Sequence, residues 1–262
     1  MKVLITGAAG QLGWELQRTA PEGLEIVAVD VTELDITDQA KVVTFVQQHA
    51  PDVIINAAAY TAVEKAEAEP ELAHRVNADG AANLAHAAKS TDARLIHVST
   101  DFIFDGKQAA PYQADSEANP LSVYGTSKYQ GEQQLLTILG EQATIVRTAW
   151  VYSSHGANFV KTMLRLMAER DQLGVIDDQI GTPTWAKGLA EAIWRIIDSN
   201  ITGIYHWTDA GVASWYDFAI AIQSVALEKG LLTKQIPIHA IKTSDYPTPA
   251  VRPINSTLDK HA

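Results

Sequence analysis

Tyr124 and Lys128 stand four residues apart in a stretch running to Gln134 that reads as helix, so a phenol and an ammonium share one face. A ketone that takes up hydride becomes an alkoxide and needs a proton. A phenol with an ordinary pKa of ~10 can give one when a nearby cation stabilises its phenolate. Lys128 is placed to be that cation, and to hold the ribose of a nicotinamide as well. Upstream, Ser99-Thr100-Asp101-Phe102 follows a short aliphatic run at residues 95–98. A hydroxyl from Thr100 or Ser99 can hydrogen-bond the carbonyl oxygen that Tyr124 protonates. Each piece has a plainer reading: Tyr and Lys at this spacing decorate many helix surfaces, and Ser-Thr-Asp caps many turns. Their coincidence is what points to carbonyl reduction.

That chemistry requires elements that bring a dinucleotide to these side chains. The first aliphatic run, residues 3–5, leads into Gly7-Ala8-Ala9-Gly10-Gln11-Leu12-Gly13, followed by Trp14, Leu16 and Gln17 in an amphipathic helical stretch. A glycine at a strand end permits a tight turn, and a second lets backbone approach a pyrophosphate. A third lets the helix pack closely, with its positive N-terminus toward the phosphates. The spacing departs from the standard Gly-x-Gly-x-x-Gly, so the motif draws its weight from position. Asp30 ends the second aliphatic run, where a carboxylate either accepts the adenosine ribose hydroxyls of NAD or is a solvated loop acid. No Arg or Lys follows it before Lys41, which favours NADH over NADPH. Asp35 and Ile36 either border the adenine or begin the helix near Asp38.

Aliphatic runs at residues 26–29, 53–55, 95–98 and 144–146 alternate with helical stretches. Such β-branched runs suit strands covered on both faces. The expected fold class is therefore α/β, a Rossmann-type doubly wound parallel sheet with a smaller C-terminal substrate-binding lobe. The expected division is a dinucleotide-binding domain over 1–150 and a lobe over most of 151–262, with residues near 184–206 returning to the first. Helical patterns lie at 184–197 and 214–227, and the turn-rich segments 177–183 and 245–249 read as substrate-side loops. The 262 residues, 47% hydrophobic and 19% charged, suffice for a core without disulfides. A net charge of −11 disfavours nucleic acid and anionic membranes as partners, while leaving room for one small anionic ligand. The absence of cysteine excludes a thiol nucleophile and thiolate metal ligands. With no signal-like or membrane-spanning run, the expected location is the cytoplasm, as a monomer or homodimer.

The chain resembles the dTDP-4-dehydrorhamnose reductases, a family of extended short-chain dehydrogenases/reductases. The resemblance is carried by Gly10-Gln11-Leu12-Gly13-Trp14-Glu15-Leu16, Asn56-Ala57-Ala58-Ala59-Tyr60-Thr61-Ala62-Val63, residues 99–106, Val123-Tyr124-Gly125, Arg147-Thr148-Ala149-Trp150-Val151-Tyr152 and Tyr246-Pro247-Thr248-Pro249. It implies NAD(P)H-dependent reduction of the 4-keto group of dTDP-4-dehydro-L-rhamnose to dTDP-L-rhamnose, a polysaccharide sugar donor. Carried over, Tyr124 is the proton donor, Lys128 its partner and Thr100 the third catalytic residue. The implied cofactor contacts add Asn56, Ala57, Ala58, Tyr60 and Ser99 to Gly7, Gly10, Gln11, Leu12, Gly13, Asp30, Asp35 and Ile36, with Tyr124 and Lys128. The implied substrate contacts are Thr100, Asp101, Phe102, Tyr124, Trp150, Arg252 and Asn255. Arg252 would grip a diphosphate through its guanidinium fork; the plainer alternatives are that Arg252 is a surface charge and Trp150 a core residue.

Two departures stand out. Some members dimerise through Mg2+ bound by carboxylates at the Glu15 position and near residue 187; Lys187 stands here, which opposes such a site, and no metal ligands are assigned. Members commonly continue for some tens of residues past 255–258, so the chain reads as either truncated or naturally short. The resemblance also leaves alternatives: a non-enzymatic regulatory subunit like that of methionine adenosyltransferase, and an epimerase or dehydratase acting on another nucleotide sugar.

Overall fold

Val3, Leu4, Ile5, Ile54, Ile55, Ile96 and Ile145 are all fully buried, a pattern only a sheet covered on both faces can satisfy. The computed structural model describes residues 1–261. Its strands are β1 (Lys2–Thr6), β2 (Glu25–Val29), β3 (Val53–Asn56), β4 (Arg94–Thr100), β5 (Thr144–Thr148), β6 (Val151–Tyr152), β7 (Leu173–Ile176), β8 (Ile180–Gly181), β9 (Thr184–Trp185), β10 (Gly203–His206), β11 (Ala213–Ser214) and β12 (Ile238–Ile241). Its helices are α1 (Gln11–Arg18), α2 (Gln39–His49), α3 (Val63–Ala66), α4 (Pro70–His74), α5 (Gly80–Thr91), α6 (Val123–Leu139), α7 (Phe159–Glu169), α8 (Ala186–Asp198) and α9 (Trp215–Glu228).

Six strands form one sheet in the order β2-β1-β3-β4-β5-β10, every neighbouring pair parallel. Side chains alternate between its faces. Leu4, Ile54, Leu95 and Ile145 pack with Val42 and Val46 of α2, Leu84 of α5 and Leu135 of α6. Val3, Ile5, Val53, Ile55 and Val146 pack with Leu12 and Leu16 of α1 and Leu189, Ile193 and Trp194 of α8. Strand order reverses between β1 and β3, where open α/β sheets leave a crevice at their carboxyl ends. A separate hydrophobic cluster joins Met163 and Met167 of α7, Leu173 and Val175 of β7, Ile222 and Ala226 of α9, and Ile238 of β12.

Residues 203–206 form a sixth strand that the aliphatic runs do not reveal, because Gly203-Ile204-Tyr205-His206 offers only one aliphatic side chain. The helical pattern at 184–197 resolves into strand β9 followed by α8, and the turn-rich 177–183 contains β8. Ser214 is the cap of α9, its hydroxyl accepting from Asp217 N–H while the Asp217 carboxylate accepts in return from Ser214 N–H. Helix α4 passes through a π-helical turn, Arg75–Asp79, into α5. That turn carries Asn77, whose side chain accepts from Tyr60 N–H at 2.8 Å and donates to the Ser127 hydroxyl at 2.9 Å, tying the loop after β3 to α6.

Beneath α6, Glu132 and Arg147 form a buried ion pair, 2.7 Å at its shortest and 0% and 4% exposed. Arg147 also donates to the Ala114 carbonyl at 2.9 Å. Removing one partner leaves an uncompensated buried charge. Arg147→Met should therefore cost about 3–5 kcal/mol in urea unfolding, with much of it recovered when Glu132→Gln is added. A single variant as stable as the parent would show that this pair does not hold α6 to the sheet.

Candidate active site

The positioning begins with Gly7. Its φ is +72°, and a Cβ there would lie 2.6 Å from Ala58 N and 2.7 Å from the Ala57 carbonyl. Only glycine permits β1 to turn this close to the chain leaving β3. Helix α1 then starts at Gln11 with no side chain capping its first turn, so its leading N–H groups are left for an anion. Asp30 stands alongside, accepting from Ala9 N–H and Val31 N–H, both at 2.8 Å. These contacts aim its carboxylate into the same cleft while leaving acceptor capacity.

The cleft holds about 640 Å³ and runs along the carboxyl ends of β1 to β5. Gly7, Gly10, Gln11, Leu12 and Asp30 line one end, with Asp35 and Ile36 beside them. Ala57 and Ala58 form the middle, and Ser99, Tyr124 and Lys128 the other end. Contributions that sequence reasoning missed come from Val31, Leu34, Thr37, Thr148 and the Gly156-Ala157 turn. That turn reaches α1 because His155 stacks on Trp14 and Asn158 donates to Gln11, contacts with no local sequence signature. The hydroxyls of Ser99 and Thr148 are buried in the cleft wall without any protein partner. Unpaired buried hydroxyls are costly unless a ligand engages them. An uncapped helix start, a glycine cradle, a ribose-height carboxylate and these orphan hydroxyls together fit a dinucleotide.

Several implied contacts do not reach the cleft. Gly13 packs against the Gly7 carbonyl instead. Asn56 lies behind the wall at 1% exposure, bonded to Thr6 and His97. Tyr60 turns outward, its hydroxyl donating to Glu69. Asn255 spends its amide on the Gln108 carbonyl at 2.9 Å and on Thr257, which fastens the C-terminal segment to the 106–110 loop. A side chain whose donors and acceptors are consumed locally has none to offer a distant ligand.

At the catalytic end, Ser122 caps α6 by accepting from Gly125 N–H at 3.1 Å, and Gly125 sits so close to Phe102 that a Cβ would meet its carbonyl at 2.2 Å. Tyr124 is thereby pressed against the turn after β4, edge-on to Phe102 at 5.5 Å. The Thr100 hydroxyl stands close enough to the phenol to lower its pKa. It also accepts from Phe102 N–H at 3.2 Å and donates to Asp101 at 3.1 Å. Burial pushes the phenol up to about 12, opposed by the Thr100 hydroxyl and assisted by the Asp101 charge. Lys128 is 2% exposed, and burial brings its amine down to about 8 against the pull of Glu132. Burial raises the Asp101 carboxyl to about 6, and its Oδ2 has no protein partner.

Next to this end lies a small recess between Phe102, Trp150, Gln179, Trp215, Arg252 and Ser256. Trp150 holds a left-handed φ of +48° and stacks on Trp215, ring centroids 3.5 Å apart and planes 8° from parallel. Trp215 lies inside the helical pattern at 214–227, and only the tertiary fold shows it as a wall. Arg252 faces Phe102 and is paired with Glu64 of α3. Glu15 is buried and accepts from Ser153 at 2.9 Å, while Lys187 lies over the Trp185 ring near Glu191.

Fold and site together define an oxidoreductase of the extended short-chain type that takes a nicotinamide cofactor. The chain belongs to the RmlD substrate binding domain family, whose match spans residues 1–262. It is 46% identical to the dTDP-4-dehydrorhamnose reductase of Aggregatibacter actinomycetemcomitans over 98% of this chain and 90% of that protein. Among solved structures, a dTDP-4-dehydrorhamnose reductase from Clostridium acetobutylicum is 42% identical, with a TM-score of 0.94 over 100% of this chain and 91% of that one. The Bacillus anthracis dTDP-4-dehydrorhamnose reductase in complex with NADP is 39% identical, with a TM-score of 0.94 over 99% and 90%.

Gly7→Ala should raise the dissociation constant for NADH about tenfold or more, since a Cβ there would press on the backbone of Ala57 and Ala58 and displace the turn that lines the cleft. Calorimetric binding to the folded variant checks this. Unchanged affinity would mean that the dinucleotide does not use this turn.

Proposed function

We propose that the protein reduces the 4-keto group of dTDP-4-dehydro-L-rhamnose to give dTDP-L-rhamnose. The observation that carries the reading is that Tyr124 and Lys128 line one end of a dinucleotide-shaped cleft, with Thr100 next to the phenol, beside an aromatic recess. A nicotinamide held in the cleft by the turn at Gly7, Asp30 and Lys128 would supply the hydride for the carbonyl carbon. Tyr124, fully protonated at working pH because its pKa lies near 12, gives its proton to the carbonyl oxygen. Thr100 aligns that oxygen, and Lys128 offsets the charge left on the phenolate. Trp150 and Trp215 wall the sugar, and Asp101 Oδ2 accepts one of its hydroxyls. Arg252 meets the diphosphate after exchanging its Glu64 partner for phosphate.

NADH is the favoured cofactor. Among the described residues lining the cleft, Lys128 is the only Lys or Arg, and it stands at the catalytic end. A 2′-phosphate beside Asp30 would meet a carboxylate there with no compensating cation.

With the keto sugar nucleotide, the protein should oxidise one NADH per product formed. A cofactor recycled without net oxidation would instead indicate an epimerase or dehydratase. Tyr124→Phe should lower kcat by about 10²–10⁴ while leaving NADH affinity unchanged; undiminished turnover would remove Tyr124 from the chemistry. Lys128 is charged below its pKa and neutral above it, so kcat/KM should be level at lower pH and fall through about pH 8. A profile flat to pH 10 would contradict that assignment.

A further inference from the structure

The aromatic recess beside the catalytic end is closed. Its free volume is about 10 Å³, room for about one water and far short of a sugar ring. Much of its wall is fixed. Trp150 presses on Gly181, where a Cβ would come within 2.7 Å of the indole. Trp215 stacks on Trp150 and donates from Nε1 to Gln179 Oε1 at 3.2 Å. Phe102 is held by the close approach of Gly125 to its carbonyl. Arg252 supplies another part of the wall, and it belongs to a segment held very differently.

Tyr246 and Val251 are 60% and 59% exposed, and Pro247 and Pro249 between them are exposed as well. Among the described residues, the hydrogen bonds that join residues 247–253 to the rest of the protein end on one side chain, Glu64 of α3. Ala250 N–H donates to Glu64 Oε2 at 3.0 Å, and Arg252 Nη2 donates to Glu64 Oε1. The stretch is anchored at its far end by Pro253, which packs against Gly106. Glu64 stands on a firm base, because Glu67 of the same loop accepts from Val123 N–H at 2.9 Å where α6 begins. Opening the recess on this side therefore means leaving Glu64.

Arg252 engages the carboxylate through Nη2 alone, and the two side chains are 26% and 35% exposed. A phosphate can take two guanidinium nitrogens at once and form the stronger pair. A ligand shifts a conformational equilibrium only by the difference in its affinity for the two states. A neutral sugar offers Arg252 no better partner than Glu64, whereas a diphosphate does. Resting on the reading of Arg252 as the diphosphate contact, we propose that Glu64 latches the 247–252 segment over the recess and makes entry of a sugar conditional on the diphosphate that carries it. Once Arg252 changes partner, a single backbone hydrogen bond holds the segment, and the recess opens.

Glu64→Gln removes the charge while keeping an oxygen for Ala250 N–H. In calorimetric titrations of the full chain, dTDP should bind this variant about two- to fivefold more tightly than the parent, the worth of a partly exposed ion pair. Arg252→Gln should weaken dTDP about tenfold or more, and adding Glu64→Gln to it should bring no gain. Absence of tightening in the single variant overturns the latch, since loss of a merely structural contact would weaken binding or leave it unchanged. A gain that survives without Arg252 also overturns it, by showing plain repulsion between Glu64 and phosphate. Should the variant not fold, amide exchange at Ala250 in the parent decides: it should quicken about tenfold when dTDP is added, and exchange that is unchanged or slower refutes the proposal. If Arg252→Gln leaves dTDP affinity as it was, the diphosphate contact proposed above falls and the latch with it. If Arg252→Gln weakens dTDP but Glu64→Gln does not tighten it, the latch alone falls. Whether the protein reduces the keto sugar is decided separately, by NADH oxidation.

Discussion

The structure depends on how closely the chain leaving β1 can approach the chain leaving β3. Parallel strands place all their carboxyl ends on one edge, and the order reversal between β1 and β3 opens a gap there. Gly7 keeps that gap shallow, because nothing larger than hydrogen fits against Ala57 and Ala58. From this contact follow the direction of α1, the exposure of its first N–H groups and the distance across the cleft to Tyr124. The glycine is thus a spacing device for a site whose chemical groups lie on α6, far along the sequence.

Burial is the common cause of the site's electrostatics. The same desolvation raises a phenol, lowers an amine and raises a carboxyl within a few residues of one another. An overall charge of −11 does not set these values; local dielectric and hydrogen-bond direction do. The acidic surface and the cationic catalytic end coexist because Lys128 is sequestered from the surface charges by the sheet and α6.

Much of this was legible in the sequence where a signal is local. The aliphatic runs gave five parallel strands, since burial on both faces forces unbroken β-branched stretches, and the glycine loop and the Tyr124–Lys128 pair declare themselves through spacing. Other parts depend on contacts between distant segments. His97 sits inside an ordinary strand pattern, Trp215 inside an ordinary amphipathic helix, and Glu64 in a four-residue helix. Their roles come from what β3, β5 and the 250–256 segment bring against them. Asn56 and Asn255 show the converse: residue types suited to binding ligands, but occupied by neighbours that only folding reveals. Helix α1, by contrast, follows its glycine turn directly, so its place could be read without the rest of the molecule.

Strand β10 closes the sheet against β5 only after residues 149–202 have been laid down. The cofactor-holding layer is therefore split in the chain, and the segment carrying the stacked tryptophan of the recess is threaded through its middle. During synthesis the β5 edge stays unpaired while α7 and α8 emerge, because β10 follows both in the chain. A piece ending at residue 148 would keep Gly7, Gly10 and the catalytic side chains of the cleft, yet lose the Gly156-Ala157 turn and present an unpaired edge and a bare apolar face over Ile193's absent position, the condition under which β-sheets seek one another and aggregate.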